Sequence, residues 1–491
     1  MNQFHSPLLN ALAQYSQSSA LPMHMPGHKR NTQLASYLSA LGAEYDITEI
    51  NDFDDLHEAE GILLESMQTA AQLWGSARSF HLINGSTCGL LASIRAAAGQ
   101  GGKVILSRGC HKSVYHAIEL CHLEPVYLTP ALDPSFGILA SITPEQVQEA
   151  LNEHPDAKLV ILTSPTYEGV ISDLPSICRI AHAAHVPVLV DEAHGAHLGL
   201  AEGWPSGAVA AGADLVVQSL HKTLPSLTQT AILHQNGTLI SAQAVARQLG
   251  IFETSSPSYL LMSSIDGCVH FLQSEGKTAF ASWKNALAAF DKAIAPLRHL
   301  RVLCHGADRL CDHPLFFDHD LGKLVISTRG TSLTGPALME RLRSDYAIEL
   351  EMCSGDYVIA MTGMGDDDFR LLRLAQALCA IDKTLCEQPG SGLSAGLSAP
   401  PRRMDAETAL DHPDTVLSLS DAQRRISAEY VWAYPPGIPL IVPGEEITAA
   451  FADCCRSLLD QGVRLHSTAG QMPDGILVTK VGIDGTIPYI V

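Results

Sequence analysis

Between about Glu60 and Gln235 the chain alternates short, wholly apolar runs with longer helical patterns, and this alternation limits the fold more than any other feature of its 491 residues. The runs are Val104–Leu106, Val126–Leu128, Leu159–Leu162, Val188–Val190 and Leu215–Val217. Each has the length of a strand rather than a helix, and a strand covered on both faces has no need to alternate polar with apolar residues. Gly61–Leu73 reads as an amphipathic helix closed by Gly75. Ser86–Ala98 reads as another, with Ser86 or Thr87 as its N-cap and Gly99 just past its end. Thr143-Pro144-Glu145-Gln146 opens a third with a capping box and proline at the first helical position. The pattern predicts an α/β fold, a mostly parallel sheet covered by helices. Ligands of such sheets sit beyond the carboxyl ends of the strands, so chemistry is sought there.

After Asp266 the pattern changes. A helical stretch to about Leu300 precedes a strand at Leu324–Ser327. A hairpin of Ile348–Met352 and Tyr357–Met361 around Ser354-Gly355 then leads into a helix over Asp367–Ala380. The run PGSGLSAGLSAPP, Pro389 to Pro401, has the composition of a linker. The expected organisation is an N-terminal arm (1–55), a large domain (56–265), a smaller α+β domain (266–388), a linker (389–403) and a C-terminal α+β domain (404–491).

Composition removes several function classes. Hydrophobic residues make up 46% and charged residues 17%, enough apolar material for a sizeable core. With 31 Lys and Arg against 52 Asp and Glu, the formal charge is −21, and no local basic patch offsets it. Such a chain has no general hold on a phosphate backbone or an anionic lipid surface, so neither nucleic acid nor membrane is expected as a partner. No stretch of about 18 apolar residues occurs, and the first residues lack a basic segment followed by an apolar one. The expected location is the cytoplasm. The 12 cysteines are scattered without a CxxC pair, which reads as buried free thiols rather than a metal or redox site.

Asp191-Glu192-Ala193-His194 spells the signature of helicase-type ATPases, but the phosphate-binding GxxxxGK[ST] motif such an enzyme needs is missing. His194 and His197 lack a third ligand at any standard spacing, so no metal is expected. A different set is more informative. Asp191 closes an apolar strand. About thirty residues on, another strand runs into Ser219-Leu220-His221-Lys222, where a lysine suits a Schiff-base nucleophile. Earlier, Asn84-Gly85-Ser86-Thr87 brings two hydroxyls and backbone N–H groups to a helix start, an arrangement that can hold a phosphate. Phosphate cradle, carboxylate and lysine together are the set that holds pyridoxal 5'-phosphate (PLP), whose pyridinium nitrogen needs an anionic partner.

The chain resembles the Orn/Lys/Arg decarboxylases of the fold-type-I PLP enzymes, in the short form without an N-terminal wing domain. The resemblance rests on MPGHK at Met25–Lys29, DITEI and DDLH within Asp46–His57, NGST at Asn84–Thr87 and CHKSVYHAI at Cys110–Ile118. It continues with LTSPTYEGV at Leu162–Val170, VPVLVDEAHGAH at Val186–His197 and ADLVVQSLHKTLPSLTQ at Ala213–Gln229. SSPSYLL at Ser255–Leu261 and YPPGIPLIVPGE at Tyr434–Glu445 complete the series. The resemblance implies an aspartate-aminotransferase-like fold in which Lys222 forms the Schiff base with PLP and Asp191 pairs with the pyridinium N–H. His111 would stack on one ring face and the methyl of Ala193 would pack on the other. Ser86, Thr87, Ser219 and His221 would bind the phosphate, Ser164 or Thr166 would reach the ring hydroxyl, and His194 lies in the same loop. Lys222 or His221 would return a proton to Cα, and Glu445 or the stretch Phe252–Tyr259 would meet a substrate's distal cation. The remaining histidines His57, His116 and His197 read as core or surface residues. The implied reaction is decarboxylation of lysine, arginine or ornithine in polyamine-type metabolism. It would take place in a homodimer or dimer of dimers with shared active sites. Alternatives are another PLP reaction, such as transamination or aldol cleavage, or a non-catalytic PLP-binding regulator.

Overall fold

The computed structural model describes residues 6–31, 33, 34, 36–388, 399–433 and 437–480. The chain divides into two compact units: Met1–Gly99 with Leu174–Lys284 and Gly363–Gly365, and Gln100–Asp173 with Asn285–Thr362 and Asp366–Val491. Most of the expected linker, 389–398, lies outside the described residues. The strands of the first half are, in chain order, β1 (Arg78–Leu82), β2 (Lys103–Ser107), β3 (Glu124–Leu128), β4 (Val160–Thr163), β5 (Val170–Ile171), β6 (Val188–Asp191), β7 (Leu215–Ser219) and β8 (Ala231–Gln235). The helices named below are α1 (Pro7–Ser16), α2 (Ile62–Trp74), α3 (Gly85–Ala98) and α4 (Lys112–Leu120).

In the first unit the strand order is β1-β8-β7-β6. β6 and β7 are parallel, with Leu189 opposite Leu215 and Asp191 opposite Val217. β8 is antiparallel to both β7 and β1. The apolar pattern does not reveal β1 and β8, because they bury polar side chains. Ser79, His81, His234 and Gln235 are all buried. They are tolerated because they are hydrogen-bonded. Ser79 Oγ donates to His234 Nδ1 (2.8 Å) and His234 Nε2 donates to Gln218 Oε1 (3.0 Å). Gln218 Nε2 then donates to Glu192 Oε2 (2.7 Å), whose other oxygen accepts from Ala208 N (2.8 Å). A polar row thus crosses the sheet from β1 to the residue after β6.

Helix α2 ends as expected, with Gly75 in the left-handed conformation accepting the turn. Helix α3 begins earlier than expected. Its N-cap is Asn84, and Ser86 and Thr87 lie inside its first turn. The reason is Gly85, whose φ of +73° lets the chain swing into the helix one residue sooner. Farther along, Gly89 allows α3 to lie directly on the sheet. A Cβ there would stand 2.5 Å from Leu82 Cδ1 and 3.1 Å from Val217 Cγ1. At the chain's start, Asp266 Oδ2 accepts from Ser6 Oγ (2.6 Å) and Leu8 N (3.1 Å), which fixes the entry of α1.

In the second unit β2 pairs in parallel with both β3 and β4. The capping box at Thr143–Gln146 is present. A four-stranded antiparallel sheet is built from Met352–Cys353, Tyr357–Met361, Lys323–Ser327 and Arg301–Val302, in that order. Its hairpin is shorter than expected. Ala347 is left-handed and Ile348 N bonds back to Leu342 O (2.9 Å), so these residues cap the preceding helix instead of extending a strand. The helical stretch expected after Asp266 is two helices, Tyr259–Ser274, which belongs to the first unit, and Gly276–Ala293, and Asp367 is the N-cap of Asp368–Asp382. Near the C-terminus, strands Val431–Ala433, Pro439–Ile441 and Leu465–Ser467 form one sheet. They share a core with helix Ala449–Asp460 that includes Val431, Ile441, Phe451 and Leu465.

Among the described residues no helix is long and apolar enough to cross a membrane, and no cluster of three or more His, Cys, Asp and Glu is placed to hold a metal ion. None of the twelve cysteines, all among the described residues, is joined in a disulfide. Cys311 and Cys386 are exposed, against the expectation of burial: Cys311 lies in the short 3-10 turn Leu310–Asp312, and Cys386 lies outside any helix or strand.

This packing sets two expectations for substitution. Gly89→Ala forces a methyl into Leu82 and Val217 and should cost about 1–3 kcal/mol, read as a lower urea midpoint. An unchanged midpoint would show that the helix can lift without loss. The second concerns Glu192, whose burial pushes its carboxyl up from the ordinary 4.5 to about 8. The folded chain then keeps a proton that the unfolded chain releases, so this residue's contribution to stability falls as pH rises from about 4.5 to about 8. Glu192→Gln should flatten the pH profile of the unfolding free energy across that window. An unaltered slope would place the proton elsewhere.

Candidate active site

The first unit gathers most of the residues singled out from the sequence at one end of β6 and β7. Asp191 is the last residue of β6. It is 3% exposed, and its Oδ1 accepts a bond from Ala193 N (3.1 Å). Burial raises its carboxyl above the usual range, while the charge of Lys222 pulls it back. Two residues beyond the Asp191–Val217 register pair, Ser219 ends β7. The chain then makes one helical turn, Leu220–Thr223, which carries His221 and Lys222. Lys222 Nζ lies 3.1 Å from His194 Nε2, so the loop after β6 and the turn after β7 meet at these two nitrogens.

The start of α3 adds hydroxyls. Ser86 Oγ is 2.6 Å from Ser219 Oγ, and Thr87, beside Ser86, is exposed. The turn leading into α3 is anchored from below by a carboxylate for which the sequence suggests a different task. Glu253 lies in the stretch Phe252–Tyr259 expected to meet a substrate's cation, yet its Oε1 accepts from Ile83 N (2.5 Å) and Asn84 N (3.3 Å). Gln229 Nε2 ties the same turn by donating to Ile83 O (2.6 Å). Nothing in the local sequence marks Glu253 or Gln229 for this task, because the groups they satisfy are backbone atoms more than 140 residues away.

His221 Nδ1 lies 2.9 Å from Thr230 O. A carbonyl only accepts, so Nδ1 carries the proton, and Nε2 of the neutral ring is left as an acceptor. Burial, together with the charge of Lys222, lowers the affinity of this ring for a second proton. Ala193 is buried in the loop between Asp191 and His194. His197 packs against Trp204 and Trp283 with centroid distances of 5.2 and 5.1 Å, the core role expected of it. His57 Nε2 bonds to Thr254 O (2.9 Å), and His116 packs against Tyr430.

The other residues named from the sequence belong to the second unit. His111 is the N-cap of α4, and its Nδ1 accepts from Ser113 N (3.3 Å) with Ser113 Oγ at 2.8 Å. Ser164 Oγ accepts from Ser172 N (3.2 Å), and Thr166 Oγ1 accepts from Val170 N (3.2 Å). Both hydroxyls keep their own protons to give. Glu445, expected to meet a substrate's distal cation, meets a cation of its own chain. It is fully buried, with Oε2 3.2 Å from Arg108 Nη2.

The chain is similar to known proteins along most of its length. The family model described as "Orn/Lys/Arg decarboxylase, major domain" matches residues 6–319, and that of the C-terminal domain of the same family matches 398–460. An arginine decarboxylase of Bacillus subtilis is 34% identical over 471 residues, covering 94% of this chain and 95% of the relative. The crystal structure of a Francisella novicida lysine decarboxylase superposes with a TM-score of 0.79 at 17% identity, covering 97% of this chain and 82% of that one. A structure described as "SPT with PLP" covers 65% of this chain and 76% of its own, with a TM-score of 0.51 at 16% identity. With a mostly parallel arrangement of strands, helices around them, and relatives matched along nearly its whole length, the chain has the α/β, aspartate-aminotransferase-like fold of type I and belongs to the Orn/Lys/Arg decarboxylase family.

Proposed function

We propose that this protein is a PLP-dependent decarboxylase of a basic L-amino acid, arginine, lysine or ornithine, releasing the corresponding amine and CO2. The observation that carries the reading is the meeting of Lys222 and His194 beside the buried Asp191, at the ends of two parallel strands, in a chain whose relatives include an arginine decarboxylase. One neighbour of the same fold was solved with PLP. When bound, PLP supplies the electron sink that takes up the pair left as the bond between Cα and the carboxyl group breaks.

The residues present fit that cofactor. A carboxylate as buried as Asp191 keeps its charge only beside a cation, which a protonated pyridine nitrogen would be. Ser86, Thr87 and Ser219 offer hydroxyls at the N-terminus of α3, where the helix also favours an anion. His221 can donate to that anion only through Nε2, and only as the imidazolium, because Nδ1 is engaged with Thr230. Lys222 must present a neutral amine to act as nucleophile, and His194 Nε2, 3.1 Å away, is placed to take a proton from Nζ. Lys222 Nζ is also our assignment for the group that returns a proton to Cα, with His221 as the second choice. His111 and Ala193 are assigned to the two faces of the cofactor ring, and Ser164 or Thr166 to its hydroxyl.

The proposal includes the division into arm, large domain, small domain, linker and C-terminal domain with the boundaries given above, a place in polyamine-type metabolism and a cytoplasmic site of action. It also includes a homodimer, or a pair of them. Support comes from the arm, where Leu21, Met23, Leu34 and Tyr37 are 70–81% exposed, an apolar surface that a second copy of the chain would cover.

Purified protein supplied with PLP is expected to release CO2 from one of L-arginine, L-lysine or L-ornithine, and Lys222→Ala should reduce release to background. Asp191→Asn, which keeps the shape and removes the charge, should lower turnover on the order of 10²–10³-fold. Loss of the amino group without CO2 would replace the reading by transamination, and bound PLP without turnover on any amino acid would favour a regulator. Sedimentation equilibrium should return two or four times the chain mass, and a monomer at micromolar concentration would refute the oligomer.

A further inference from the structure

The buried pair of Arg108 and Glu445 needs an explanation that stability does not provide. Both side chains are shut off from water, at 1% and 0% exposure. Arg108 Nε and Glu445 Oε1 each lack a hydrogen-bond partner among the described residues. A buried ion pair with an unsatisfied atom on each side does no better than well-packed apolar residues of the same size, so such a pair is weak evidence of stabilisation. Its use is geometric.

Arg108 follows β2 and precedes the turn that presents His111. Its Nη1 donates to Tyr115 Oη (2.7 Å), and Tyr115 Oη donates back to Arg108 O (2.8 Å), which closes a clasp around residues 108–115. The C-terminal segment braces this clasp from outside, with its contacts running in the opposite chain direction. Tyr430 Oη donates to Glu119 Oε2 (3.0 Å) at the far end of α4. The ring of Trp432 lies 5.1 Å from Lys112 Nζ, a cation–π distance. Lys112 N donates to Gly437 O (3.2 Å), and Glu445 Oε2 accepts from Arg108 Nη2 (3.2 Å) while Val442 N (2.9 Å) holds the carboxylate in place. Tyr430, Trp432, Gly437 and Glu445, in that order, thus hold α4 and the turn before it from Glu119 back to Arg108.

We propose that residues 430–433 and 437–445 are the positioning element of the His111 turn and that Glu445 acts through Arg108, not on the substrate. The role assigned to His111 rests on the PLP reading above, whereas the brace itself does not. Two consequences are separable. In the cofactor-free protein, Glu445→Gln should speed amide hydrogen exchange across residues 110–115 about tenfold, with the central strands unchanged. In the loaded protein, Glu445→Gln should weaken PLP binding and dim the visible circular dichroism of the cofactor by the same factors as His111→Ala. The double variant should be no worse than His111→Ala alone, because both changes remove one contact.

A raised KM for the basic amino acid with unchanged exchange and PLP affinity would overturn the proposal and return Glu445 to the substrate. Effects that multiply with those of His111→Ala would also overturn it. Should Glu445→Gln fail to fold, the paired apolar replacement Arg108→Met with Glu445→Met removes the brace without leaving a buried charge, and the same readouts apply. Failure of the wild-type chain to bind PLP would sink the functional reading and leave the exchange measurement to decide the brace.

Discussion

A carboxylate drawn out of water must find a cation or give up its charge, and the end of β6 is built around that constraint. Burial opposes the ionisation of Asp191, and the charge of Lys222 favours it. The parallel register of β6 and β7 makes the encounter possible. It sets Asp191 opposite Val217, and the turn just beyond the end of β7 carries the lysine. Parallel strands end on the same side of a sheet, so residues about thirty positions apart in the chain arrive at one place without a long loop to position them.

The next residue shows the other solution. Glu192 is as buried as Asp191, but its oxygens take donors from Ala208 and Gln218, and its carboxyl is pushed up to about 8. Two adjacent carboxyl groups in one low-dielectric pocket therefore differ in what surrounds them, and Glu192 joins the hydrogen-bonded row that runs through Gln218 and His234 to Ser79. That row ties four strands together side by side, a use of polar residues that works only when every member is satisfied.

Much of this is legible in the order of the residues. The apolar runs mark β2, β4, β6 and β7 because a strand buried on both faces leaves a continuous hydrophobic signature, and the run in β3 marks an edge strand that is only partly buried. Gly75 and Thr143-Pro144-Glu145-Gln146 are legible because capping is local chemistry within a few residues. β1 and β8 are not, since their buried Ser, His and Gln are indistinguishable from surface residues until their partners are known. Glu445 is open to two readings for a related reason. In an apolar, proline-rich segment, a lone carboxylate reads equally well as a substrate contact or as half of a core ion pair, and its partner lies 337 residues away.

The chain by itself determined the alternation of strands and helices, the caps that start and stop them, and the order of hydroxyls, carboxylate and lysine, all set by interactions spanning a few residues. Only the tertiary structure decided which groups share a bond: Lys222 with His194, Glu253 with the turn before α3, Arg108 with Glu445. Such pairings depend on strand register and on groups far away in sequence. A buried polar group is stabilised by whichever partner the fold delivers to it, and the identity of that partner is written in no local pattern.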